Sequence, residues 1–458
     1  MSNLIQRIKD CLEGDKVIWM VALILSVWSL LSVYSSISSL AVKAGGNSTK
    51  FLTKQGILLL MGLAVIYIIH RINYKYIAAV AHLGFTSKAP LHVFVIGCLL
   101  DPSAAIIAID SKIRNVTISI LETLPSSFLV KLLILITVGN LKRSDPIRYS
   151  FLIGLTIYVL GFTLLVGTNM NEASRWIEIP FVGLTLQTSD FAKVALVIWV
   201  AKELHLRREY LEDFRNGVVP ILIRIVFVCG LILPADLSTA LMLGAVTVGM
   251  MFVGGVPISG LFRIGGLAMA LGMGIYGVGK VSPEMFPRFG TWTNRIEQHI
   301  GFTTGGADHI ATEGEYQIEL AQVAIHNGGL FPSGPGTGTS RNYLPHPYSD
   351  MIYAFIIEEW GAIIGGLGLL LIYLILLYRT ILAAKNCDRP FGSYLAMGLG
   401  MMITIQALIN MAVAVRLFPT TGQPLPLVSY GGTSILFTCL SVGMILAVSR
   451  APLLASKR

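Results

Sequence analysis

Apolar runs recur along the chain at 17–40, 55–71, 150–168, 189–204, 217–234, 237–254, 260–279, 351–378, 392–415 and 431–449, separated by short polar stretches. Each approaches the roughly 20 residues that a helix needs to cross a bilayer. The pattern predicts an all-α polytopic integral membrane protein with ten transmembrane helices. The stretch 86–145 is ambiguous, because "HVFVIGCLLDPSAAIIAI" carries Asp101 and Pro102 mid-run and "SSFLVKLLILITVG" is short and contains Lys131. Residues 81–149 are therefore set apart as an unassigned insert in a single membrane domain that runs over 1–458. An even number of crossings in the insert keeps everything downstream in the same orientation.

The polar punctuation is uneven. Arg7, Lys9, Lys16, His70, Arg71, Lys75, Lys142, Arg143, Arg148, Lys202, Arg207, Arg208, Arg215, Arg379, Lys385, Arg389, Arg450, Lys457 and Arg458 all fall in segments that alternate to one side. Cationic loops stay in the cytoplasm, so this side is cytoplasmic and holds both termini. The opposite side receives 41–54, 169–188, a tight turn at 234–236, the long loop 280–349 and 416–430. A loop of about 70 residues is unusual in a compact domain and usually carries function.

Composition agrees. The 458 residues are 54% hydrophobic and 13% charged, too few charges to clothe a soluble protein of this size. The net charge of +9 reflects the cytoplasmic loops and does not indicate a nucleic-acid partner. Five cysteines without CxxC spacing argue against a disulfide framework or a zinc site.

Candidate chemistry gathers on the outer side. Arg175 stands beside Trp176 at an interface, and Lys193 lies one turn inside the fourth span. A cation at that depth faces a cavity or a partner, or else snorkels to the headgroups. Asp236 follows Pro234 between two spans, placed to cap the next helix or to act on a substrate. In the long loop, "GEYQIELAQVAIHNGG" is a short amphipathic helix stopped by Gly328-Gly329. "FPSGPGTGTSRNYLPHPYSD" is too irregular for a regular element but suited to backbone N–H donors. "SDMIYAFIIEEWG" then re-enters with Asp350, Glu358 and Glu359, which suit a proton relay, a pairing with Lys193 or the capping of a neighbouring helix. Asp308 has no Lys or Arg within four residues and follows Gly305-Gly306. It fits a general base and equally a solvated loop acid.

"RLFPTTGQPLPLVSYGGTSI" breaks the apolar pattern between the last two spans with Pro419, Pro424, Pro426 and Gly431-Gly432. It reads as an outward loop dipping to the rim of a site, where Thr420, Thr421, Gln423, Ser429 and Tyr430 present donors without adding charge.

Several of these stretches together resemble the SEDS family (shape, elongation, division and sporulation), and within it the division branch more than the elongation branch. They are "SVYSS" (32–36), "NEASRWIEI" with "LQTSDFAKVAL" (171–196), "PADLSTAL" (234–241), "YQIELAQVAIHNGGLFPSGPGTG" (316–338), "LPHPYSDMIYAFIIEEWG" (344–361) and "FPTTGQPLPLVSYGGTSIL" (418–436). The likeness covers 1–80 and 150–450. The 81–149 insert has no counterpart between the family's second and third spans, and Asp190 stands where the family's Gln-Pro-Ser-Glu pattern carries its acid.

The resemblance implies a peptidoglycan glycosyltransferase that polymerises lipid II outside the bacterial cytoplasmic membrane, at the division septum. The implied partners are lipid II, the polyprenyl-diphosphate-linked glycan, a class B penicillin-binding transpeptidase and other membrane proteins of division. By position Asp308 resembles the family's essential loop carboxylate, with Glu313 and Glu315 as substitutes. Arg175 and Lys193 match its basic residues, with Gln317, Thr420, Gln423, Ser429 and Tyr430 beside the substrate. No cofactor is indicated, although a divalent cation, magnesium or manganese, would suit the diphosphate. A lipid II flippase is the competing reading and would place essential charges at the bilayer midplane; a non-catalytic division scaffold is a third.

Overall fold

The computed structural model describes residues 12–43, 48–80, 151–166, 168–170, 173–179, 184–281, 288–304, 313–343 and 350–455. The 81–149 insert lies outside them, as do Asp308 and the side chains of Arg175, Glu313 and Glu315.

The described chain is a bundle of helices. Helices α1 (Lys16–Lys43), α2 (Ser48–Arg71) and the short α3 (Tyr74–Val80) precede α4 (Phe151–Val166). Then come α5 (Thr188–Leu206), α6 (Val219–Ile232), α7 (Leu237–Val253) and α8 (Ile258–Val281). Two non-spanning helices, α9 (Phe289–Thr304) and α10 (Glu313–Gly328), occupy the long loop. Helices α11 (Ile352–Trp360) and α12 (Leu369–Lys385) are joined through a π-helical stretch, Gly361–Gly368, and α13 (Pro390–Ala414) and α14 (Thr433–Ala455) close the bundle.

Among the described residues, seven helical stretches are long and apolar enough to cross a membrane, and Leu152–Leu164 and Leu237–Val253 are shorter apolar helices. The tenth predicted span is α5, whose apolar run is interrupted by Asp190, Lys193, Lys202 and Glu203. The ten runs of the hydropathy pattern thus all appear as helices.

One element escapes the period of hydrophobicity. Strands β1 (Thr168–Met170), β2 (Ala173–Ile179) and β3 (Leu184–Gln187) form an antiparallel sheet in the order β1-β2-β3, where only a loop is predicted. Trp176 stands opposite Gln187 and Ile177 opposite Leu186. The segment is too short for its alternation to stand out from the flanking spans.

Packing is closest in the centre. Helix α5 is almost entirely buried, with Leu196, Val197, Val200, Ala201 and Leu204 inaccessible, and α13 buries Leu395, Ala396, Leu399 and Ala407 against its neighbours. Gly398 makes this contact close: a Cβ there would lie 2.8 Å from Val197 Cγ1. Helix α8 is the opposite case. Its apolar face, including Phe262, Met269 and Met273, is largely exposed, as a lipid-facing helix allows.

Two polar rungs calibrate depth along α1. At one end Arg379 Nη2 meets Asp15 Oδ2 at 2.6 Å. About 20 residues further along α1, the Ser35 hydroxyl donates to Glu359 Oε1, which stands about 20 residues before Arg379. At 1.5 Å per residue the rungs are roughly 30 Å apart, one hydrocarbon thickness. The first rung lies at the basic end, where Arg450 also pairs with Glu13 and donates to the His70 and Arg71 carbonyls. The second marks the other boundary.

Candidate active site

At the end of the bundle away from the basic residues, the 416–432 segment folds back between the helices. Arg416 and Leu427 have positive φ (61° and 64°), as does Gly422, so the coil turns repeatedly without forming a helix. Irregular backbone at membrane depth is tolerated only where protein groups satisfy it. Here the bundle supplies donors to one carbonyl after another. Arg295 Nη1 donates to Thr420 O at 3.1 Å, Asn410 Nδ2 to Gln423 O at 2.7 Å and Gln406 Nε2 to Pro424 O at 2.9 Å. Deeper down, Tyr373 Oη donates to Pro426 O and Ser29 Oγ to Val428 O. Ser29 precedes Ser35 on α1 by under two turns, so the coil dips about 9 Å below the Glu359 rung.

Several polar side chains expected to face a substrate hold this coil together. Gln423 is buried, and its Nε2 donates to Thr239 Oγ1 at 2.6 Å. Ser429 Oγ accepts from Leu425 N at 2.8 Å and closes a turn. Thr420 offers its carbonyl to Arg295, and Tyr430 stays partly accessible at the rim. Asp350 is drawn in through its backbone, whose carbonyl accepts from the same Asn410 Nδ2.

Lys193 is buried, and its Nζ lies 2.6 Å from Asp190 Oδ1, one turn earlier on α5. Nζ also donates to Gln406 Oε1 at 3.2 Å. The lysine is thus neutralised in place and linked through Gln406 to the 416–432 coil, a pairing with Asp190 instead of with Glu358 or Glu359. The second Asp190 oxygen is buried and finds no partner among the described residues.

Asp236 caps α7, accepting from Thr239 N at 3.1 Å and from Ser238 Oγ at 2.7 Å. It also lines a small cleft between α4, α5 and α6, with Thr163, Thr188 and Ser189 as polar neighbours and Leu160 and Leu231 as apolar ones. Arg288 Nη1 donates to the carbonyl of Ala235, another residue of this cleft, at 2.7 Å. Arg288 and Arg295 therefore fasten α9 across the site, and the segment carrying Asp308 begins directly after α9. Gln317 lies on α10, partly buried. Arg175 belongs to β2, next to the partly buried Trp176.

The Glu358 carboxylate serves the neighbouring loop, and the Glu359 carboxylate accepts from Ser35 of α1. Glu358 Oε1 accepts from the N–H groups of Thr339 and Ser340, both at 3.1 Å, and from Ser340 Oγ at 2.8 Å. Sequence reasoning missed Gln406, Asn410, Arg288 and Arg295. The first two carried a usable signal, since amide side chains inside an apolar span commonly bond across helices.

A model of the cell cycle protein family that groups FtsW, RodA and SpoVE matches residues 86–452. The chain belongs to that family. The match starts inside the 81–149 stretch. Among curated relatives, the probable peptidoglycan glycosyltransferase FtsW of Geobacter sp. strain M18 is 33% identical over 302 residues, covering 66% of this chain and 76% of its own. Stage V sporulation protein E of Bacillus subtilis is 34% identical over 308 residues, covering 66% and 78%. The probable peptidoglycan glycosyltransferase FtsW of Geobacter sulfurreducens aligns over 98% of both chains at 26% identity. Among solved structures, a chain of a peptidoglycan synthase complex that coordinates polymerization and crosslinking shares the fold with a TM-score of 0.62 at 20% identity, over 96% of this chain and 98% of that one. The rod shape determining protein RodA of Thermus thermophilus aligns with a TM-score of 0.55 at 20% identity, over 96% and 97%.

Proposed function

We propose that the protein is a peptidoglycan glycosyltransferase that polymerises lipid II into β-1,4-linked glycan at the outer face of the bacterial cytoplasmic membrane, in septal synthesis during division. The observation that carries this reading is membership of a family whose members of about 33% identity are named for that activity.

Lipid II is a disaccharide-pentapeptide on a polyprenyl diphosphate, so the enzyme needs a lipid-facing groove, fixed polar groups and a base on one face. Asp308 takes the proton of the acceptor's sugar 4-hydroxyl. The oxygen attacks the anomeric carbon of the lipid-linked donor chain, the carbon–oxygen bond to the diphosphate breaks, and polyprenyl diphosphate leaves with the electron pair. One displacement with inversion gives the β linkage without a covalent intermediate. Arg175 and Lys193, with Gln317, Thr420 and Tyr430, are assigned to the substrate side of the site, while Gln423 and Ser429 hold the coil beneath it. In the structure Lys193 is paired with Asp190 and held by Gln406, so its charge acts as a fixed dipole unless substrate displaces the carboxylate. Among the described residues no three His, Cys, Asp or Glu side chains gather at a metal site.

A class B penicillin-binding transpeptidase is the proposed partner, a reading supported by the fold shared with a chain of a peptidoglycan synthase complex. A positioned base contributes about 10²–10⁴-fold. Asp308→Ala should therefore lower lipid II polymerisation by at least about 100-fold in purified protein supplied with its partner, with membrane insertion intact. Near-normal glycan from that variant would remove Asp308 from the mechanism, and no polymer from the wild type would remove the function.

A further inference from the structure

The glutamate pair of α11 lies outside the network around Asp190, Lys193 and Gln406 and faces a different partner. The glycine-rich loop 329–343 is fastened to the end of α11 from two directions. Ala362 N and Ile363 N donate to Gly329 O and Leu330 O at 2.9 and 3.3 Å. In return, Ser333 N and Gly334 N donate to Glu359 O at 3.1 and 2.9 Å, and Ser333 Oγ to Glu358 O at 3.0 Å. The Glu358 carboxylate completes the set by taking the Thr339 and Ser340 amides and the Ser340 hydroxyl on one oxygen.

Three glycines make the approach possible. A Cβ on Gly328 would lie 2.2 Å from Ile357 O, one on Gly361 2.6 Å from the Phe331 carbonyl carbon, and one on Gly338 2.8 Å from Glu358 Oε2. That second oxygen is buried and has no partner among the described residues. The rung between Ser35 and Glu359 sets the whole assembly at a membrane boundary.

We propose that Glu358 is a positioning residue: its Oε1 is a fixed acceptor that locks the 333–340 loop against α11 and so seats α10, the helix that leads into that loop and carries Gln317. Only one oxygen of the side chain is used, and it is used as an acceptor of two backbone N–H groups and a hydroxyl. The role therefore requires an acceptor and no transferable proton. A carboxylate kept for proton transfer has the opposite requirement, since an amide cannot replace it. The effect on catalysis rests on the glycosyltransferase reading; the effect on the loop does not.

The test compares Glu358→Gln with Glu358→Ala in the full chain, reconstituted in nanodiscs. Two readouts are taken: lipid II polymerisation with the transpeptidase partner, and hydrogen–deuterium exchange of peptides covering 333–340. Glu358→Ala should lose at least about tenfold in kcat with KM for lipid II within about threefold, and amide exchange in 333–340 should rise at least about tenfold, as loss of a fixed hydrogen bond opens the loop. Glu358→Gln keeps the acceptor and should restore both readouts to within about threefold of wild type. Thr339→Pro deletes one donor from the loop side without touching the buried acid, and should reproduce the alanine phenotype if Glu358→Ala does not fold. The proposal is overturned if Gln is as defective as Ala, or if loop exchange is unchanged in both Glu358→Ala and Thr339→Pro. If no protein polymerises, exchange alone still decides the clamp, and the failure belongs to the proposed function.

Discussion

At the residue scale, the decisive contact is the pair Lys193–Asp190. Both groups are almost wholly buried, at 6% and 3% side-chain exposure, so neither charge is stable there alone. Removing one partner of a buried pair typically costs about 3–5 kcal/mol, because the survivor is left uncompensated, whereas removing both charges together is often close to neutral. Lys193→Met should therefore lower the melting temperature in detergent far more than the double variant Lys193→Met/Asp190→Asn. Additive losses in this cycle would show that the two side chains do not sustain one another. The spacing of three residues was visible in the sequence. What was not visible is that Gln406, from a helix more than 200 residues away, is the second partner of the ammonium.

At the element scale, the 416–432 coil stands on donors that come from α1, α9, α12 and α13, each spending a side chain on a backbone carbonyl. Loss of a donor leaves a buried carbonyl without a partner, at about 1–3 kcal/mol. Asn410→Leu removes the group that bridges Asp350 O and Gln423 O, so it should destabilise the protein by at least about that amount and raise protease cleavage or hydrogen exchange within 416–432. Unchanged exchange would mean that the coil is held without it. The same reasoning applies where α11 ends. Gly361 has φ 71° and no room for a Cβ, so Gly361→Ala combines left-handed strain with a collision against the Leu330–Phe331 backbone. Its expected cost exceeds about 1 kcal/mol, read as a drop in melting temperature.

At the scale of the whole molecule, the two rungs on α1 set the frame. In the sequence Glu358 and Glu359 read as carboxylates inside a span, a placement that suits a proton relay. Pairing of Ser35 with Glu359, one hydrocarbon thickness from Asp15 and Arg379, moves them from the midplane to a boundary. There a carboxylate that is hydrogen-bonded, as both of these are, costs less than at the midplane. The basic end holds Arg71, Arg379 and Arg450 together, which predicts cytoplasmic termini. Reporter fusions should place the C-terminus and the 207–215 loop inside and the α9–α10 loop outside. A C-terminus on the outside would invert the frame and carry the proposed outer-face chemistry with it.

The sequence by itself determined the ten spans, their order, the stop of α10 at Gly328-Gly329 and the family, because each rests on local runs: about 20 apolar residues, a glycine pair, a contiguous motif. It also marked the end of the bundle where polar residues concentrate. Only the tertiary structure decided which of those residues face one another. The strands of the 168–187 sheet, the partner of Lys193, the donors beneath the 416–432 coil and the boundary position of Glu358 and Glu359 depend on register between elements far apart in the chain. Helix register is set by side-chain packing and glycine contacts such as Gly398 on Val197, a property of pairs of helices that no single run of residues contains.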